Sequence, residues 1–83
     1  MIEIWGKPAC PYCEQAKALC ETRNYKYVYK QLDVDFTRDE ILETFPGAKT
    51  FPQIIVGGTK IGGYDQLTKY IEETGYNGTG FTL

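Results

Sequence analysis

Cys10 and Cys13 stand three positions apart in Lys7-Pro8-Ala9-Cys10-Pro11-Tyr12-Cys13, where a short strand pattern gives way to a helical one. Two thiols at that spacing can form a redox dithiol, supply half of a zinc site, or be incidental. The zinc reading fares badly on counting, because a closed structural site takes four Cys or His ligands and this chain has three cysteines and no histidine. Only an intermolecular site would escape that count. The lack of histidine also excludes a Cys-His ion pair of the protease kind. Redox exchange needs a thiolate, yet an unperturbed cysteine near pKa 8.5 is only about 3% ionised at pH 7. Something local must favour the charged form.

The elements around the pair offer such an influence. Met1 to Trp5 alternate as a strand, with Ile2 and Ile4 on one face and Glu3 on the other, and Gly6 and Pro8 end it. Pro11 to about Asn24 then carry mostly good helix formers, with Cys13, Ala16, Leu19 and Cys20 along one side. Pro11 suits the first helical turn, which places Cys10 at the N-cap and Cys13 a turn inside. The unpaired N–H groups of that helix end, with its partial positive charge, and the Lys7 cation then favour a thiolate on Cys10. Cys10 is expected to be exposed and nucleophilic, and Cys13, lying deeper, to resolve a mixed disulfide formed at Cys10. Cys20, two turns beyond Cys13 and on the order of 10 Å away, is out of disulfide reach and reads as a buried apolar filler.

Tyr25 to Val34 form an aromatic and β-branched stretch expected to be a second strand. Thr37-Arg38-Asp39-Glu40 has the spacing of a capping box and opens a helix with Ile41, Leu42 and Phe45 inward, closed by Pro46-Gly47. Gln53–Val56 and Thr59–Ile61 flank Gly57-Gly58, the signature of a tight hairpin. A last helix runs from about Asp65 to Thr74, with Leu67, Tyr70 and Ile71 inward and Gly75 at its stop. The tail over 76–83 shows no periodicity and is expected to be irregular. The order β-α-β-α-β-β-α, two crossovers and a hairpin, predicts an α/β domain with a four-stranded mixed sheet flanked by three helices.

Composition narrows the function. With 83 residues, 42% of them hydrophobic and 24% charged, the chain reads as one small globular domain. Nine basic residues are interspersed with eleven acidic ones, for a net charge of −2, and no basic stripe suggests nucleic acid. No apolar run is long enough to span a membrane, and Met1-Ile2-Glu3-Ile4 lacks the start of a signal peptide, so a cytoplasmic location is expected.

Two further stretches stand out. Thr50-Phe51-Pro52-Gln53 places a proline at the start of a strand, where a cis bond is permitted although only about 5–6% of X-Pro bonds in folded proteins adopt it. Gly62-Gly63-Tyr64-Asp65 marks a helix start whose N–H groups could cradle a carboxylate, while a plain N-cap at Asp65 would also explain that residue. Taken together, Cys10-Pro11-Tyr12-Cys13 after a strand with Lys7 upstream, Thr50-Phe51-Pro52, and Gly62-Gly63-Tyr64 resemble a dithiol glutaredoxin of the small phage and bacterial type.

That resemblance implies a thioredoxin fold, with the loop before Pro52 facing the dithiol and the Phe51-Pro52 bond cis. It implies reduction of protein disulfides and glutathione mixed disulfides, with glutathione as the reducing co-substrate and no permanently bound cofactor or metal. Cys10 would be the nucleophile and Cys13 the resolving thiol. Lys7, Tyr12 and Pro52 would line the glutathione site, Thr50 and Phe51 would pair with the glutathione backbone as an added strand, and Gly63, Tyr64 and Asp65 would hold its γ-glutamyl end. Gln53 is expected to be structural. The pattern departs at Gln66, where the family usually carries an acid and this chain a neutral amide; Asp65 could take over that role or only cap the helix. Expected partners are glutathione and disulfide-bearing or glutathionylated proteins, ribonucleotide reductase among them, acted on by a monomer. Two alternatives remain: a redoxin reduced by thioredoxin reductase, and a glutathione-assisted iron-sulfur carrier, against which Pro11 weighs because cluster-binding members typically carry Gly there.

Overall fold

The computed structural model describes residues 1–75, so the expectation for the tail over 76–83 lies outside the described residues. Four strands, β1 (Ile2–Gly6), β2 (Tyr27–Gln31), β3 (Gln53–Val56) and β4 (Thr59–Gly62), form one sheet in the order β2-β1-β3-β4. β1 runs parallel to β2 with Ile4 opposite Tyr29, and antiparallel to β3 with Ile4 opposite Ile54. The predicted mixed sheet is therefore present, with its parallel pair built by the first crossover. Gly57 and Gly58 turn the β3-β4 hairpin with φ of 56° and 86°, values that suit residues without a Cβ.

The helices are α1 (Pro11–Thr22), α2 (Arg38–Thr44) and α3 (Tyr64–Thr74). The main core lies between one sheet face and α1 with α3, and Ile2, Ile4, Ile54, Ala16, Cys20 and Leu67 are completely enclosed there. Each large side chain among them contributes about 1.5–3 kcal/mol by leaving water. The opposite face carries a smaller cluster of Trp5, Phe36, Ile41 and Phe45 under α2. Trp5 packs against Phe36 at 4.7 Å and edge-on to Phe45 at 5.5 Å.

The boundaries differ from expectation where the backbone turns locally. α1 ends at Thr22 because Asn24 is left-handed, with φ 57°. β2 is confined to Tyr27–Gln31: Asp33 is also left-handed, with φ 65°, and Asp35 accepts the Gln31 N–H at 2.9 Å, curling the chain out of the sheet. Thr37 and Glu40 form the expected reciprocal cap of α2. Leu42, expected inward, is 45% exposed, because this short helix rests on the aromatic cluster only through Ile41 and Phe45.

Candidate active site

Cys10 occupies the N-cap of α1, and its Sγ accepts the Cys13 backbone N–H at 3.2 Å. Pro11 follows in the first turn, where a missing N–H costs nothing. The two sulfurs are joined in a disulfide with Cα atoms 5.2 Å apart. The expectation of an exposed Cys10 needs correction: it keeps 7% of its surface and Cys13 none. The reason is geometric, since the Cys10 sulfur turns back over the helix end toward Cys13 instead of outward. The expected order of depth holds, with Cys13 the more enclosed.

Gly6 closes this end of the site from below. A Cβ built there would overlap the Tyr29 hydroxyl and stand 3.1 Å from the Cys13 sulfur, so only glycine lets β1 pass this close. Burial raises the Tyr29 phenol above its ordinary pKa, with Glu14 adding and the nearby Lys17 opposing. Lys17 Nζ lies 4.7 Å from the Tyr29 ring centre and 3.5 Å from Glu14. Cys20 is free and fully buried, as expected, and desolvation, aided by Glu21, pushes its thiol up to about 11.

The second wall is the segment leading into β3. The Phe51-Pro52 bond is cis, and Pro52 is buried. Gln53, itself buried, donates from Nε2 to the Thr50 carbonyl at 2.8 Å, which ties the start of the loop to the strand that follows it. The Phe51 ring stacks on Phe36 at 6.5 Å and so continues the aromatic cluster toward the site. Lys7 Nζ stands 5.5 Å from the Phe51 ring centre.

The third wall is the start of α3, and here Asp65 is not the N-cap. Gly63 is, and the Gln66 side chain accepts the Gly63 N–H at 3.0 Å. Glycine brings no side-chain cap of its own, so the acceptor comes from three residues on, and Asp65 sits inside the first turn. A Gly63-x-x-Gln66 spacing was visible in the sequence as half of a capping box, and could have identified this pair. The Tyr64 ring faces Tyr12 across the gap at 6.1 Å.

Tyr12, Thr50, Phe51, Pro52, Gly63, Tyr64 and Asp65 line one cleft of about 290 Å³, joined by Gln66. Seven residues from three separate stretches are thus brought together, with Tyr12 carrying the dithiol loop into the cleft wall. Lys7 does not line it and touches it through Phe51. Neither Cys10 nor Cys13 lines the cleft, which reaches the pair through Tyr12; its Thr50–Phe51 edge suits an extended backbone and the N–H groups at the start of α3 suit a carboxylate.

Residues 2–61 match the family model for glutaredoxin. The chain is 35% identical over 66 residues to glutaredoxin 3 of Escherichia coli, covering 80% of each. It is 38% identical over 69 residues to the hybrid peroxiredoxin hyPrx5 of Haemophilus influenzae, covering 83% of this chain but only 28% of that longer protein. The solved structure of reduced Escherichia coli glutaredoxin aligns with a TM-score of 0.71 at 32% identity, covering 87% of this chain and 93% of that one.

Proposed function

The chain belongs to the glutaredoxin family of thiol-disulfide oxidoreductases, with the thioredoxin fold, and on that premise we propose that Cys10 and Cys13 are its exchanging pair and the neighbouring cleft its glutathione site. The family uses glutathione as reductant and keeps no permanent cofactor. One observation carries the assignment to these residues: the Cys10–Cys13 disulfide caps α1, with Tyr12 between the two cysteines forming part of the cleft.

In this reading Cys10, as thiolate, attacks one sulfur of a substrate disulfide and expels the other as a thiolate, which takes a proton from water. With a protein disulfide, the Cys13 thiolate then attacks the Cys10 sulfur, frees the second substrate thiol and leaves the Cys10–Cys13 disulfide. One glutathione thiolate reopens that bond by attacking Cys10 and releasing Cys13. A second attacks the bound glutathione sulfur, leaving the dithiol and glutathione disulfide. The Cys13 N–H supports charge on Cys10 whenever it is the leaving group. Thr50 and Phe51 would align the glutathione backbone, and the start of α3 would receive its γ-glutamyl carboxylate. The cytoplasm, with its glutathione pool, is the compartment this chemistry calls for.

Turnover of a glutathionylated substrate with glutathione as the only reductant tests the reading. Cys10→Ser should abolish it, whereas Cys13→Ser should retain it and lose protein-disulfide reduction. Retained turnover in Cys10→Ser would show the nucleophile to be misassigned.

A further inference from the structure

Beside the glutathione cleft lies a second, larger one of about 630 Å³, between the end of α2 and strand β4. Thr50, Gly63 and Gln66 line both, so anything extending past that border from the first cleft comes onto the second.

The larger one has a distinct chemistry. Its titratable lining side chains are Lys49 and Lys60, with no carboxylate, although the chain carries eleven acidic residues against nine basic ones. The ion pairs found among the described residues join Lys17 to Glu14 and Lys30 to Glu3, and involve neither of these lysines. Lys60 Nζ rests 5.8 Å from the Phe45 ring centre, and Ile61 adds further apolar lining. A mixed apolar and cationic groove that continues from a strand-pairing edge suits an extended polypeptide with acidic side chains.

We infer that the Lys49–Lys60 cleft docks acidic residues flanking the reactive cysteine of a polypeptide disulfide substrate. This inference rests on the reading that Cys10 exchanges with substrate disulfides, and it leaves that exchange as written above. The acidic residues take no part in bond making; they hold the substrate chain across the Thr50–Gly63 border and raise the rate of productive encounter. Because both lysines are exposed, the gain is modest and sensitive to salt.

The test uses two disulfide peptides that differ only in Asp and Glu, or Asn and Gln, beside the cysteine. They are compared on the wild-type protein and on Lys49→Gln/Lys60→Gln, with the glutathione mixed disulfide of a small thiol as a third substrate. At low salt the wild type should show about five-fold higher kcat/KM for the acidic peptide. The double variant, and salt near about 1 M, should remove that preference. Both proteins should turn over the small mixed disulfide alike. Equal rates on the two peptides in the wild type, or a preference that survives in the double variant, would overturn the inference. Failure of the wild type on the small mixed disulfide would instead overturn the dithiol reading. Binding of the same peptides with Ser in place of Cys, followed by amide chemical shifts, then reads the cleft without chemistry. Shifts at Lys49 and Lys60 that depend on the acidic residues support the docking surface, and their absence refutes it.

Discussion

Gln66 Oε1 accepts the Gly63 N–H at 3.0 Å, so the start of α3 is capped by a neutral amide and Asp65 is left as the carboxylate lining the proposed glutathione cleft. An amine on the γ-glutamyl group then has Asp65 to meet. Asp65→Asn should raise KM for a glutathione mixed disulfide about three- to ten-fold with little change in kcat. Gln66→Ala should act on stability instead, costing about 0.5–1 kcal/mol and several degrees of Tm. Thermal unfolding and steady-state kinetics on the two variants separate these effects; an unchanged KM in Asp65→Asn would remove its role.

Gln53 is a residue whose importance is local geometry. Its removal in Gln53→Ala leaves the Thr50 carbonyl without its buried donor and a small void at the start of β3. A loss of about 1–3 kcal/mol in denaturant unfolding is expected. A raised KM for glutathione should accompany it, because the freed loop is the proposed pairing edge.

The tight passage at Gly6 can be tested by adding one carbon. Gly6→Ala forces the Tyr29 ring and the Cys13 sulfur apart and should cost about 1–3 kcal/mol. Since the Tyr29 hydroxyl is the nearest atom, Tyr29→Phe in the same chain should recover part of the loss. A double-mutant cycle reads that coupling directly, and strict additivity would mean the hydroxyl is not the obstacle.

Alkaline pH should probe Cys20. Burial pushes its thiol from the ordinary range up to about 11 in the fold, so the unfolded chain loses this proton first as pH rises. The stabilising contribution is therefore complete below pH 9 and drains away between pH 9 and pH 11. Unfolding free energies across that range should fall, and less steeply in Cys20→Ala. At pH 8 iodoacetamide should modify Cys10 in the reduced native protein and reach Cys20 only after denaturant is added.

Much of this site could be read from residue order because its signals are local. Cys10-Pro11 specifies a helix end, Thr37 and Glu40 a capping box, and Gly57-Gly58 a hairpin, and each is found where the sequence places it. What escaped reading depends on contacts between distant stretches. The exposure of Leu42 follows from how α2 rests on Trp5 and Phe36, and the enclosure of Cys10 from the direction its sulfur takes. The close passage of Gly6 under Tyr29 and Cys13 needs the parallel register of β1 and β2, which no window of sequence contains. The Gln66 cap was local but only half signalled, because glycine lacks the side-chain half of a capping box and the Gln66 three residues on was its one mark.

The bond from the Cys13 N–H to the Cys10 sulfur bears on the cost of moving electrons. The donor belongs to the helix backbone and is already in place while the sulfur is bonded and uncharged. When the disulfide opens and charge arrives, the chain has little to rearrange. The barrier to exchange should then be set mainly by the approach of the incoming thiol, and the protein can serve as a stiff frame through which different partners are cycled.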